Sequence, residues 1–349
     1  MSRHVRAQEL TFPDSSESNY DDVLVEISDF KTLRDILSSS PTRDAYCRSA
    51  LYYVFTGRGE VWTVKHRNNY LILLRHPNVI DCLLVFFPFV SDVFDLVEQV
   101  KALCRCKSFL MGFNEVLLAR LPAPVAEGLM NKALHLQNTF HCMLENVDEK
   151  KLDWAYPSYD VQLQKLLNPE GGKLETYRNK IRKFNQFDVK VIRPESLDEI
   201  ELRKVVTQIN KSWIRTKSKN GSVRPSRGIL RELIEPYATL VRIHSDITLA
   251  IDGLILKRGG GYLAFSFWER SAKGDTVPCF AALPCSYEKG LSEYLHYCIA
   301  SCLKREGYVS MCIGGSETAS LDQFKKKFDP INIHRLQTIR FSLKDQPRL

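Results

Sequence analysis

No stretch of this chain is long and apolar enough to span a bilayer. The longest apolar run, Leu83–Val90, carries Pro88 and falls far short of the roughly 20 residues a membrane helix needs, so it reads as a buried strand. The opening residues, MSRHVRAQELTFPDSSESNYDD, lack an apolar signal core, and nothing in them suggests secretion. Residues 1–22 are polar and rich in Ser and Asp, which predicts a mobile arm. Metal-ligand spacing is missing as well. Among ten cysteines, Cys104-x-Cys106 is the only close pair, and Cys298 and Cys302 stand one helical turn apart. That pattern predicts reduced, mostly buried thiols in a cytoplasmic protein and argues against a disulfide framework. His66, His76, His135 and His141 are scattered without ligand spacing, so no metal site is expected. Cys285 and Cys312 have no recognisable His partner, which leaves covalent cysteine catalysis unsupported.

What is present is an ordinary globular composition, 44% apolar and 26% charged, in 349 residues with a net charge of +8. That length suits two domains or one large one. After a helical stretch between Ser28 and about Ala50, strand-type runs follow at Glu60–His66, Tyr70–Leu74 and Leu83–Val90. Val93, Val97, Val100 and Cys104 then give a helix stripe. Val116–Leu121 reads as a strand, Pro124–Gln137 as a helix and Thr139–Glu145 as another strand. The alternation predicts a mixed α+β lobe over residues 23–150, with no chemical motif in it. Lys150–Pro157 reads as the crossing to a second lobe, 151–349.

Charge in the second lobe is unevenly placed. Leu174, Tyr177, Ile181 and Phe184 form one apolar stripe of a helix whose other faces carry Arg178, Lys180, Arg182 and Lys183. Further on, Leu202–Arg231 holds nine Lys or Arg residues and no Asp or Glu. Trp213, Arg215, Lys217, Lys219, Arg224 and Arg227 fall in it, the last two in a loop with Gly221 and Pro225. Cations beside an aromatic ring suit phosphates and a stacked base or ribose, so this segment is a candidate nucleic-acid surface.

From Thr239 the pattern is a β meander with a hairpin at Gly259-Gly260-Gly261, then a long amphipathic helix over Glu288–Arg305. Val309–Ile313 next reads as a buried strand, broken by Gly314-Gly315. Ser316, Glu317 and Thr318 supply helix-starting residues. Leu321, Phe324 and Phe328 form one apolar face before Pro330, and Asn332–Leu343 reads as a closing strand. A strand passing through glycines into a helix N-terminus is a ready site for an anion or carboxylate.

The wording of Gly314-Gly315-Ser316-Glu317-Thr318, then Leu321 and Phe324-Lys-x-Lys-Phe-x-Pro, resembles the closing motif of the phosphatidylglycerol lysyltransferase C-terminal domain superfamily. Trp154–Phe184, with Tyr156-Pro157 and Arg178-Asn179-Lys180-x-x-x-Phe184, and the Trp213 region resemble it too, so the likeness covers roughly the C-terminal 200 residues. The superfamily has tandem acetyltransferase-like (GNAT-like) domains and is related to the Fem-type transferases that use aminoacyl-tRNA. The resemblance therefore implies an α+β fold of two such lobes with a mixed sheet. Acetyl-CoA users of that fold hold the pyrophosphate on an Arg/Gln-x-x-Gly-x-Gly/Ala loop. Here the place reads Pro284-Cys285-Ser286-Tyr287-Glu288-Lys289-Gly290, a departure that argues against acyl-CoA and for aminoacyl-tRNA as co-substrate, with no other cofactor. Glu288-Lys289 matches the family's acidic-basic helix opening. Gly314–Glu317 departs from its Asn-Arg-Glu-type residues, which leaves the acceptor open.

The implied reaction is aminoacyl transfer from tRNA to an amine or hydroxyl of a small molecule, peptide or lipid headgroup. An ester donor is already activated, so positioning and oxyanion stabilisation carry the rate. Candidate catalytic residues are Lys325 or Lys327 near the ester, and Glu288 or Glu317 as proton acceptor. Candidate binding residues are Arg178, Arg182, Lys183, Trp213, Arg215, Lys217, Lys219, Arg224, Arg227, Gly314, Gly315 and Ser316, with the cations expected on one face around a cleft ending at Gly314-Gly315. Two alternatives stay open: an acyl-CoA N-acyltransferase or nucleic-acid base modifier, and a non-catalytic nucleic-acid-binding module.

Overall fold

The computed structural model describes residues 23–26, 30–57, 60–77, 79–147, 156–219, 251–271, 276–285, 288–316 and 318–343. The expected arm at 1–22, the loop holding Arg224 and Arg227, and Glu317 lie outside them. The chain divides into two units, 1–156 with 334–349, and 157–333.

In the first unit come β1 (Val23–Glu26), α1 (Phe30–Leu37), α2 (Ala50–Thr56), β2 (Val61–His66), β3 (Asn69–Arg75) and β4 (Cys82–Phe86). They are followed by α3 (Val93–Arg105), α4 (Lys107–Leu110), β5 (Glu115–Pro122), α5 (Ala123–Met130), α6 (Ala133–Phe140) and β6 (Cys142–Val147). The single helix expected over Pro124–Gln137 is thus two, parted at Asn131-Lys132. Local chemistry explains several boundaries. Asp92 caps α3 by accepting from the Asp95 amide at 2.9 Å, satisfying a donor the helix cannot. The β2–β3 turn places Arg67 at φ 56°, as a two-residue hairpin requires.

The second unit holds β7 (Ser158–Gln162), α7 (Leu163–Leu167), α8 (Glu175–Phe184), β8 (Val189–Ile192), α9 (Glu199–Lys219), β9 (Ile251–Arg258) and β10 (Gly261–Glu269). Then follow β11 (Thr276–Pro284), α10 (Leu291–Arg305), β12 (Ser310–Cys312), α11 (Ala319–Lys326) and β13 (Asn332–His334). The triglycine is the β9–β10 hairpin, with Gly259 at φ 57°. The chain closes with β14 (Leu336–Leu343).

Sequence placed Asn332–Leu343 in one strand of the second lobe. The structure instead breaks it at Arg335 and puts the two parts in different sheets: β13 edges the second unit's sheet, and β14 lies inside the first unit's sheet, between β5 and β6. Packing explains this, because Ile339, Phe341 and Leu343 join the apolar cluster of α3, β4 and β5.

The two sheets follow one plan. Their orders are β1-β2-β3-β4-β5-β14-β6 and β8-β9-β10-β11-β12-β7-β13. Each has one central parallel pair, β4/β5 in the first and β11/β12 in the second, flanked by antiparallel neighbours. A helix, α3 or α10, joins the two strands of that pair, as parallel strands demand a crossover. In the second unit α8 and α10 share a cluster with one sheet face, including Leu254, Leu256, Ala264 and Trp268. Helix α9 packs on β10 and β11, and its buried residues Leu202, Val205, Val206, Ile209 and Ile214 lie outside that cluster. Strand alternation turns Ile255, Phe265 and Phe267 to the same opposite face, so α8 and α9 cover opposite faces of the sheet.

Candidate active site at a strand split

Parallel strands with a helical crossover leave a crevice at their carboxyl ends, the usual ligand position in open α/β sheets. In the second unit β11 and β12 pair from Thr276↔Ser310 to Pro278↔Cys312. Beyond that point β11 continues to Pro284 against β10 alone, and β12 passes into Ile313-Gly314-Gly315-Ser316. Gly314 sits at φ 69°, a left-handed conformation that glycine adopts without steric cost.

The first unit has the same split with different contents. Pairing of β4 with β5 ends at Val85↔Leu118. Arg120 follows two residues later at φ 54°, the position that Gly314 holds relative to Cys312. Its side chain is fully buried and donates to Asp44 Oδ2 through Nε at 3.0 Å and Nη2 at 2.6 Å. Burial alone pushes the Asp44 carboxyl up, but the Arg120 guanidinium outweighs it and holds the group below the usual carboxylate range. Tyr52 lies 5.2 Å beneath the guanidinium and 6.0 Å from the Phe86 ring, so it touches the ends of both strands. Side chains of the chain itself fill this first crevice. At the equivalent point of the second, Gly314 contributes none.

Around the second crevice, Gly314, Gly315 and Ser316 are all buried. Ser316 has no exposed surface and its hydroxyl has no hydrogen-bond partner among the described residues. Lys325, on the last turn of α11, reaches back and donates to the Gly315 carbonyl. Nearby, His296 is buried, stacks on Phe328 at 4.7 Å and bonds the Ser292 carbonyl through Nδ1 at 2.7 Å. Burial first, and the Lys325 charge after it, lower its pKa to about 4, so the imidazole is neutral at physiological pH. Asp322 accepts from Tyr159 at 2.6 Å and pairs with Lys326 at 2.7 Å. Burial raises its pKa, but these two partners bring the net shift below the usual value. Lys326 is thereby occupied, and Lys325 alone of the three lysines turns to the glycines.

The N-terminus of α10, where a pyrophosphate would sit, is covered. Its cap Gly290 is left-handed at φ 98°, and a Cβ there would stand 3.0 Å from the Lys180 Cβ and 3.3 Å from the Phe184 ring. Glu293 occupies the first turn and forms a largely buried ion pair with Lys180. A carboxylate already meets the positive end of the helix.

Other expected site residues are placed as follows. Glu288 precedes the α10 cap, and both its oxygens accept from Arg258 at 3.0 Å, which holds the carboxylate away from the role of free base. Lys327 is exposed, 6.0 Å over the Phe324 ring. Arg178 is tied to the Pro169 and Gly171 carbonyls at 2.7 and 3.3 Å, bracing the loop before α8. Arg182 and Lys183 are exposed on α8; Trp213 is half-buried and Arg215 exposed on α9. Lys217 and Lys219 lie in the last turns of α9. The described cations of α8 and α9 therefore do not share one face, since the two helices lie on opposite sides of one sheet; Arg224 and Arg227 lie outside the described residues. Sequence reading passed over Lys180, Glu293, Arg258 and His296. Of these only Lys180 was named from sequence, among the cations off the apolar stripe of its helix and in the Arg178-Asn179-Lys180 motif, without a site role. Among the described residues no group of three or more His, Cys, Asp or Glu is placed to hold a metal.

No family model matches the chain, and no curated protein matches it by sequence. Solved structures do. The chain is similar to a conserved protein of unknown function from Bacteroides thetaiotaomicron VPI-5482, with a TM-score of 0.62 and 14% identity over 91% of this chain and 99% of that one. It is similar to FemX, with a TM-score of 0.58 and 11% identity over 91% and 96%. It is also similar to L-PGS from Bacillus licheniformis, with a TM-score of 0.55 and 14% identity over 92% and 94%. At these identities the likeness establishes the fold, which is the two-lobed acetyltransferase-like architecture expected from the sequence.

Proposed function

We propose that the chain is an aminoacyltransferase that works at the β11/β12 split of the second unit and moves an amino acid from tRNA to an amine or hydroxyl acceptor. The observation that carries this reading is the contrast between the two splits. Arg120 and Asp44 fill the first, whereas Gly314, Gly315 and an unpartnered Ser316 hydroxyl line the second. The covered α10 N-terminus supports an ester donor over an acyl-CoA, because Lys180 and Glu293 leave no free amide cradle for a pyrophosphate.

In the reaction the acceptor nitrogen or oxygen attacks the ester carbonyl, and negative charge builds on the carbonyl oxygen. Collapse breaks the bond to the terminal ribose oxygen, which takes up the proton the nucleophile loses. Lys325 donates to the Gly315 carbonyl. Turning from the Gly315 carbonyl to the developing oxyanion would stabilise it in a water-poor setting. Ser316 would orient the ester through its hydroxyl. Glu317 is the proposed carrier that takes this proton from the nucleophile and passes it to the ribose oxygen, since Glu288 is bound by Arg258.

The test is single-turnover transfer of labelled amino acid from a mixed pool of charged tRNA, with wild type, Lys325→Met and Ser316→Ala. Loss of label from tRNA should need the protein and fall by about 10²-fold or more in the lysine variant. Calorimetry with acetyl-CoA should show no binding. Micromolar affinity for acetyl-CoA, or transfer indifferent to Lys325, would overturn the reading.

A further inference from the structure

We infer that the exposed face of α9, through Lys204, Lys211 and Arg215, is the surface that takes the phosphate backbone of a structured RNA, and that the basic residues of α8 do not share in it. The inference rests on the reading of tRNA as donor. At 100° per residue these three side chains fall within about 40° of one another around the helix. A rise of about 1.5 Å per residue spaces them roughly 10 and 6 Å apart along its axis, a straight row of cations. All three are exposed, and none makes an ion pair among the described residues. Cations elsewhere in the unit are commonly held: Lys165 and Lys173 by Asp329, Arg193 and Arg270 by Asp252, Arg258 by Glu288, Lys326 by Asp322. The carboxylates of α9 are confined to its first turn, Glu199 and Glu201, and Glu201 accepts from the Tyr262 hydroxyl at 3.1 Å; none follows from Leu202 to Arg231.

A row of unneutralised cations fits either a nucleic acid or an anionic membrane, and the neighbouring side chains decide between them. A helix that lies on a bilayer presents apolar residues beside its cations. On α9, Leu202, Val205, Val206, Ile209 and Ile214 are each no more than 2% exposed and turn to the sheet. Ile200, 82% exposed at the start of α9, is the one exposed apolar residue beside the row among the described side chains. A single isoleucine at its end is not the apolar face that seats a helix in a bilayer, so the row's partner is a polyanion met in water. Because α8 packs on the other sheet face, Arg182 and Lys183 cannot extend the row.

The experiment is filter binding of bulk uncharged tRNA over a salt series, with wild type, the triple variant Lys204→Ala/Lys211→Ala/Arg215→Ala and the control Arg182→Ala/Lys183→Ala. In parallel, vesicles of phosphatidylglycerol and phosphatidylcholine are assayed for binding. Removing three phosphate contacts should make the slope of log K against log salt shallower by about two to three, while the α8 control keeps the wild-type slope. Exposed charges contribute little to stability, so the thermal midpoints should coincide. A triple variant that binds tRNA like wild type would overturn the surface assignment, and transfer from charged tRNA would then show whether the donor reading survives it. Wild type that binds no RNA would overturn both. Binding to the anionic vesicles alone, lost in the triple variant, would assign the row to a membrane and overturn the inference.

Discussion

Acid should weaken the folded chain through one imidazole, that of His296. In the folded state it titrates at about 4, against 6.5 for an ordinary histidine. Between those values the unfolded chain carries a proton on this side chain that the folded chain does not. Stability is therefore fully present above pH 6.5, falls as the pH drops, and has lost the whole contribution below about pH 4. Each step in pKa is worth about 1.4 kcal/mol, so the full contribution is roughly 3 kcal/mol, of which about 2.5 should be lost between pH 7.5 and 4.5. His296→Phe keeps an aromatic ring against Phe328 and removes the titration. It also loses the bond to the Ser292 carbonyl, a cost of about 1 kcal/mol that does not vary over this range. Urea unfolding at pH 7.5, 6.5, 5.5 and 4.5 on both proteins isolates the effect, because carboxylates such as Asp44 and Asp322 titrate alike in each. The wild-type curve should fall by about 2.5 kcal/mol relative to the variant. Parallel curves would refute the reasoning. Lys325→Met, by removing a nearby positive charge, should shift the wild-type transition toward higher pH.

Three further outcomes follow from the packing. Arg120→Met leaves Asp44 buried and unpaired and should destabilise the first unit by about 3–5 kcal/mol in urea unfolding, while transfer per folded molecule stays at the wild-type rate. Gly290→Ala puts a Cβ into left-handed backbone against Lys180 and should cost about 1–3 kcal/mol, read as a lowered thermal midpoint. Deleting residues 334–349 removes an interior strand with the buried Ile339, Phe341 and Leu343; hydrogen exchange should show lost protection in β5 and β6, and retained protection there would refute the topology.

Elements whose apolar residues face one way were legible from sequence. The stripe of Val93, Val97 and Val100 became α3, the run Val116–Leu121 became β5, and the meander with its triglycine turn became β9 to β11. Strand β7 was not legible, because Ser158 and Asp160 are buried polar residues, at 0% and 1% exposure. Alternation of apolar and polar side chains signals a strand only where one face meets water. The helix expected between Ser28 and Ala50 ends at Leu37, since the residues after it serve other ends. Ser40 donates to the Pro88 carbonyl and Asp44 to none, accepting instead from Arg120 and from the Tyr46 amide. Such long-range partners leave no local mark.

The same limit explains the candidate site. Gly314-Gly315 announced a turn at the end of a strand, and its neighbour Lys325 fell on the predicted helix. What sequence could not convey was that a second, equivalent split exists, and that Arg120 stands in it where Gly314 stands in the other. Both positions need left-handed backbone, at φ 54° and 69°. Glycine meets that need freely, whereas arginine incurs strain and is held by a buried ion pair and by Tyr46 and Tyr52 at 5.3 and 5.2 Å. An arginine kept at such a point is explained by what its side chain fills. A glycine there leaves the crevice without a side chain, and beside it stands Ser316, whose buried hydroxyl has no partner among the described residues. One unit thus commits its split to holding itself together, and the other leaves its split without a side chain, which is where we propose the ligand sits. That asymmetry, more than any single residue, points to the second unit for the chemistry.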